Sequence, residues 1–151
     1  MLKRAVVVSL AFLLSACARV MPNNPVENPR GELVPMQVGQ AKLKVEIRDS
    51  EAGRNLGLSY RQNLPNNEGV LFVFPVAVSY PFWMKGMEFD LDMVWIKDGR
   101  VVGVSEAVKA PGNNHGKVET VFPPQAVDRV LEVNSGWVKE KGVQVGDEVS
   151  Y

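Results

Sequence analysis

The stretch LDMVWIKDGRVVGV, residues 91–104, is compatible with little except a β-hairpin. Asp98-Gly99 supplies the positive φ values of a tight two-residue turn, and β-branched and aromatic residues flank it. Other segments carry the same kind of signal. AKLKVEIR, 41–48, alternates without a break. Ala41, Leu43, Val45 and Ile47 fall on one side and Lys42, Lys44, Glu46 and Arg48 on the other, which reads as a half-buried strand. GVLFVF, 69–74, is a continuous apolar run of strand length between Asn66-Asn67 and Pro75, as expected of a strand buried on both faces. Tyr80-Pro81 biases residues 80–85 toward an extended form. DRVLEVN, 128–134, is a further strand, and Gly146-Asp147 turns the chain into a last one at 148–151. Helix is confined to two places. Asp49 or Ser50 can cap a short helix with Glu51 in its first turn, weakened by Gly53 and Gly57. SGWVKEKG, 135–142, reads as one or two turns capped by Ser135 and ended by Gly142. Residues 109–118, KAPGNNHGKV, form a loop. The pattern predicts an all-β domain, a jelly-roll-like β-sandwich or partly closed barrel with one or two short helices. A hydrophobic fraction of 46% supplies one core, so residues 36–151 are read as a single domain.

The first 35 residues belong to a different regime. MLKRAVVVSLAFLLSAC begins basic, at Lys3 and Arg4, and runs apolar to Leu14. That is a secretory signal, residues 1–16, too short for a permanent membrane span. Leu14-Ser15-Ala16-Cys17 looks like a bacterial lipobox, in which the cysteine sulfur is acylated after cleavage before it. The sequence therefore predicts lipidation at Cys17 and a domain on the periplasmic face of an envelope membrane. By similarity to double-membrane bacteria, Ala18 after the cysteine points to the outer one. Several acyl chains make such attachment stable where one binds only marginally. Residues 18–35 hold Pro22, Pro25, Pro29 and Pro35 among asparagines and read as a spacer, reaching roughly 30–50 Å. Cleavage removes Lys3 and Arg4 and no acid, leaving 15 basic against 17 acidic residues. Without a block of positive charge, nucleic acid is not an expected partner.

Few sets of residues carry chemistry. His115 is the only histidine and Cys17 the only cysteine, so one chain cannot assemble a nitrogen–sulfur metal site. Asp90-x-Asp92 starts like a calcium loop, but Val94 stands where a third oxygen ligand belongs and no glycine follows it. No metal and no cofactor are expected. His115 sits in a Gly/Asn loop, and Ser59, Ser105 and Ser135 have no nucleophile-elbow context. Glu88, Asp90 and Asp92 share one face of an extended segment, with Phe89, Leu91 and Met93 on the other. Paired with Glu132 from another strand, Asp92 can do acid–base work on a glycosidic bond, or it can be part of a solvated acidic stripe. Arg61 and Lys85 lie beside apolar sequence, where an unpaired charge is costly. A partner such as Asp92 or Glu132 is expected, as a structural clasp or as an anchor for an anionic ligand.

With these residues in view, the chain from about 43 to 151 resembles the prokaryotic family catalogued as domain of unknown function 192. The matching words, in the family's order, are GLSYR (57–61), EGVLFVF (68–74), FWMKGM (82–87), LDMVWI (91–96), DGRVV (98–102), VLEV (130–133) and GVQVGDEV (142–149). The resemblance implies a compact β-sandwich of jelly-roll type, often behind a signal peptide, and no established activity. The chain departs from the family's usual words at Ser59 and Tyr60, at Gly86 and Met87, and at Asp90, where the family usually has proline. Asp92 matches the family word and Asp90 does not, which weakens any mechanism using the two as a pair.

The candidate binding or clasp residues are therefore Arg61, Trp83, Lys85, Asp92 and Glu132. The first functional expectation is a lipid-anchored, non-catalytic envelope module, in which Trp83 beside Lys85 suits a sugar, a peptide or an acidic polymer. The second is a hydrolase of envelope polysaccharide, which requires Asp92 and Glu132 in one open cleft, roughly 5–10 Å apart. The third is an accessory factor that docks on a protein partner in a membrane complex.

Overall fold

A computed structural model describes residues 28–151. The segments expected to be the signal sequence, the lipidated Cys17 and the first part of the spacer lie outside the described residues. Among the described residues the chain forms nine strands and two short α-helices. They are β1 (Leu33–Val38), β2 (Ala41–Arg48), α1 (Glu51–Leu56), β3 (Glu68–Val78), β4 (Phe82–Trp83), β5 (Leu91–Lys97), β6 (Arg100–Val108), β7 (Thr120–Val121), β8 (Val127–Asn134), α2 (Trp137–Lys141) and β9 (Val149–Ser150). Seven strands make one sheet in the order β6-β5-β8-β3-β2-β1-β9, and β4 with β7 makes a separate ribbon. Among the described residues only β2 and β3 run parallel; the crossover between them contains α1.

The large sheet curls until its two edges meet. Arg100 at the start of β6 bridges to Glu148 beside β9. Val101 N–H donates to Asp147 O at 2.9 Å and Val149 N–H to Gly99 O at 2.9 Å. The mainly-β architecture is thus a half-barrel closed at one rim. Its concave side is filled by Val38, Val45, Leu71, Val94, Ile96 and Leu131, and α2 plugs it with Trp137 and Val138. The opposite face carries a second apolar cluster, with Val70, Phe72, Met93, Trp95 and Val130, covered by Leu58, Met84 and Met87 from the connecting segments. Each central strand therefore meets apolar layers on both sides, which is why GVLFVF and LDMVWI read as continuous runs rather than alternations.

The hairpin forms as its turn demands, with Asp98 at φ 49° and Gly99 at φ 72°. Ser50 caps α1, its hydroxyl accepting from Gly53 N at 3.1 Å. Several boundaries differ from expectation. The stretch read as spacer to residue 35 is folded earlier: β1 starts at Leu33 and pairs with β2 through Leu33–Glu46. Strand β3 passes Pro75 and runs to Val78, with an irregularity between Val73 and Val78 that accommodates the proline. Ser135 does not cap α2. Gly136 occupies that position at φ 89° with no side-chain bond, and the cap comes from elsewhere in the fold.

Candidate functional site

The five candidate residues separate into distinct environments. Asp92 is fully buried. It pairs across the sheet with Val133, while its neighbour Met93 pairs with Glu132. Side chains alternate along a strand, so Asp92 points into the half-barrel and Glu132 to the opposite face. One Asp92 oxygen accepts from Val138 N at 3.0 Å and supplies the cap that α2 lacks locally. The other accepts from Ala107 N at 2.9 Å, at a β6 residue held at φ 53°. The two carboxylates required by the hydrolase expectation thus lie on opposite sides of the sheet. Nor does Arg61 or Lys85 clasp Asp92, as was expected; two backbone amides hold it.

Arg61 belongs to a clasp, with a partner the alternating pattern concealed. Glu46 was expected on the solvated side of β2, but it is 1% exposed. Arg61 meets it in a two-pronged ion pair, Nη1 to Oε1 at 2.5 Å and Nη2 to Oε2 at 2.8 Å. Arg48 Nη2 and Gly31 N donate to the same Glu46 Oε2 at 3.1 and 2.8 Å. Burial by itself would raise the Glu46 pKa. The Arg61 and Gly31 hydrogen bonds and the two guanidinium charges outweigh it and hold Glu46 below the ordinary glutamate value. The clasp also fastens the incoming chain. Arg61 donates to the carbonyls of Asn28 and Pro29, and Asn28 Nδ2 donates to Gly57 O and Ser59 O, both at 2.9 Å.

Asp90, read as one of the acidic face residues, organises a loop. Its carboxylate accepts from Ala110 N at 2.8 Å, Asn113 Nδ2 at 3.0 Å and Lys109 Nζ at 2.8 Å. Burial pushes its pKa up, but these bonds prevail and hold it below the usual aspartate value. Lys85 is exposed rather than embedded in apolar surroundings; its carbonyl accepts the Ser59 hydroxyl at 2.9 Å.

Trp83 and Glu132 do meet, at a cleft of about 600 Å³ between α1 and the β3–β4 segment. Glu132 is 6% exposed and stands in the second apolar face, with Val70 and Met93 as its cross-strand neighbours. No side chain or amide among the described residues hydrogen-bonds its carboxyl. Desolvation pushes its pKa up to about 8. Around it the cleft is aromatic. Phe72 and Phe82 meet edge to face at 5.3 Å, and Phe74 packs in the same manner on Phe82 and Tyr80 at 6.3 Å. Tyr80 and Trp83 are 60% and 52% exposed at the mouth. Gly57 at φ 50° brings the end of α1 against Phe72; a Cβ there would lie 3.2 Å from that ring. Arg54 lines the same wall. It donates to the carbonyls of Asp49 and Val73 and lies 5.3 Å over the Phe74 ring. Arg54, Phe74, Tyr80 and Phe82 were not singled out from the sequence, although the density of aromatics at 72–83 was a visible signal. Among the described residues no cluster of three His, Cys, Asp or Glu side chains is placed to hold a metal.

The model of a family described as DUF192, "Uncharacterized ACR", matches residues 34–151. A crystal structure of a protein of unknown function from Novosphingobium aromaticivorans is similar in fold, with TM-score 0.72 and 23% identity, covering 79% of this chain and 85% of that one. A second crystal structure, from Sinorhizobium meliloti and called "a putative transcription regulator", has TM-score 0.73 and 27% identity, covering 82% and 97%. No curated protein matches the chain.

Proposed function

The chain belongs to the DUF192 family, and on that premise we propose that its domain is a non-catalytic binding module whose site is the aromatic cleft with Glu132 in its wall. The observation that carries this reading is Glu132 itself. An unpartnered carboxyl in an apolar face lowers stability, and groups kept at such a penalty concentrate at functional sites. The cleft has the size of small-ligand sites and a mixed lining, aromatic rings beside a few polar groups. The separation of Asp92 from Glu132 supports binding over carboxylate-pair hydrolysis. The balanced charge offers a phosphate backbone no net attraction, so the description of the Sinorhizobium protein is not carried over.

In this proposal Cys17 is acylated and the domain hangs from an envelope membrane. The chain is fastened at Asn28, so the segment between the anchor and the domain is residues 18–27. Its reach is at most roughly 35 Å, so the cleft stays close to the membrane. Cys17→Ser should move the protein from the membrane to the soluble fraction; unchanged membrane association would end the anchor reading.

The site is tested by screening small aromatic compounds against the full-length protein by NMR. Shift changes should gather at the Trp83 indole and the Gly57 and Ser59 amides. Trp83→Ala should weaken the hits about tenfold, as loss of an aromatic anchor does, with little change in melting temperature because the side chain is half exposed. Hits that map elsewhere, or that ignore Trp83→Ala, would overturn it.

A further inference from the structure

The cleft is built to take a positive charge, and we infer that its ligands are amines, an ammonium group on an apolar or aromatic body, with the ammonium paired to Glu132. The inference rests on the cleft being the binding site and names the chemistry that site selects. Glu132 is 94% buried and lines the cleft, yet none of the described residues donates to it or pairs with it. Its surroundings explain why. On the sheet, Val70 of β3 and Met93 of β5 flank it, and Val130 lies two residues away on the same face. None of these carries a donor.

Of the nearby charges, only Glu46 is closed off in an ion pair. From α1, Arg54 donates through Nη1 to the Asp49 and Val73 carbonyls and lies over Phe74, keeping its positive charge, and the opposite charge of Glu51 lies at the rim. On β2, Glu46 shares the face of Val70 one strand further on, but it is closed off by Arg61 and Arg48. Asp92 of β5 faces the other side of the sheet. From the β3–β4 segment the only titratable side chain at the cleft is the Tyr80 phenol.

A cation would therefore meet the unpaired Glu132 carboxyl, aromatic rings whose negative faces attract positive charge, and the Glu51 carboxylate at the rim, which offsets the Arg54 guanidinium on the same wall. An ammonium can donate to both carboxyl oxygens, whereas a neutral acceptor can only take the single proton of the un-ionised acid and leaves the second oxygen unpaired. An anionic ligand would meet repulsion as Glu132 ionises. Pairing with an amine makes Glu132 give up its proton, so binding is linked to pH. With the free carboxyl at about 8, its ionised fraction, and with it the affinity, rises about ninefold from pH 6 to pH 7.

The test uses the full-length protein in detergent micelles, with micelle-only blanks, and three probes of one shape: 2-phenylethylamine, 2-phenylethanol and phenylacetate. Calorimetry should show the amine at pH 8.5 binding at least tenfold more tightly than the alcohol. At pH 6–7 close to one proton should be released per amine bound, read from buffers of different ionisation enthalpy. Glu132→Gln should reduce amine affinity to that of the alcohol and abolish the proton release. Proton release by the wild type stands independently of how the variant folds. If amine and alcohol bind equally, or the alcohol binds more tightly as pH falls, the acid serves as a neutral donor; the amine inference is then overturned while the cleft reading survives. If none of the probes shifts a cleft resonance at millimolar concentration, the cleft reading and this inference fall together.

Discussion

Replacing Asp92 by asparagine changes one atom inside the half-barrel and separates a structural role from a binding role. The wild-type carboxylate accepts two backbone hydrogen bonds, from Val138 N at 3.0 Å and Ala107 N at 2.9 Å, with no exposure to water. Asparagine keeps one acceptor and turns an NH2 toward the other amide. One charge-assisted bond is lost, worth about 1.5–3 kcal/mol, and a buried N–H is left without a partner at about 1–3 kcal/mol. These overlap, so the net loss is set at about 3 kcal/mol. Alanine strands both amides and opens a small void, for about 4–5 kcal/mol. Losses of this size are a large share of the roughly 5–15 kcal/mol that holds a domain folded. Urea titration at pH 7, followed by the fluorescence of buried Trp95 and Trp137, should show the midpoint of Asp92→Asn lowered by roughly 1.5–2 M with the slope unchanged. Hydrogen exchange should quicken first at the Val138 and Ala107 amides. A variant within about 0.5 kcal/mol of wild type, with those two amides still protected, would refute the capping argument and return Asp92 to the list of binding residues.

Three further predictions concern the other carboxylates. Arg61→Met or Glu46→Gln alone should cost about 3–5 kcal/mol, because each leaves a buried charge or a donor set unmatched, while Glu46→Leu with Arg61→Met should recover most of the loss. A double-mutant cycle with no coupling would contradict the clasp. Acid should weaken the fold for the same reason: Glu46 and Asp90 lie below their ordinary values of 4.5 and 3.8, so their contribution is present above those values and is lost as pH falls through the lowered ones. Glu132 acts with the opposite sign. Its pKa rises on folding from 4.5 to about 8, so stability is full below pH 4.5 and declines until pH passes 8. Glu132→Gln should remove that decline and be roughly 2–5 kcal/mol better off at pH 9 than at pH 5, relative to wild type. Parallel pH profiles for the two proteins in thermal denaturation would argue that Glu132 is solvated.

Much of the β framework was legible because its signals are local. The Asp98-Gly99 turn needs only its own φ values, Ser50 caps α1 from three residues away, and the apolar runs 69–74 and 91–96 match strands with a layer on each side. Polar residues were harder to place. The alternation of β2 correctly put Glu46 opposite Val45, but alternation identifies a face and not what covers it. That face is solvent at Lys42 and Lys44 and a buried clasp at Glu46, because Arg61 and the segment from Asn28 fold over one end of the strand. Ser135 has the chemistry of a cap, yet α2 takes its cap from Asp92, 46 residues earlier.

By itself the sequence determined the mainly-β class, the main hairpin, the start of the first helix at Asp49 or Ser50 and a short set of candidate residues. These depend on backbone preference and on periodicity over a few residues. Tertiary structure decided how the sheet closes and which candidates share an environment. Asp92 and Glu132 differ in fate because the register of β5 against β8 sends adjacent positions to opposite faces. Trp83 and Glu132 came together because α1, β4 and β8 converge on one cleft from distant parts of the chain. A carboxyl's role follows from the water and donors left around it after folding, and those are supplied by segments that no local pattern connects.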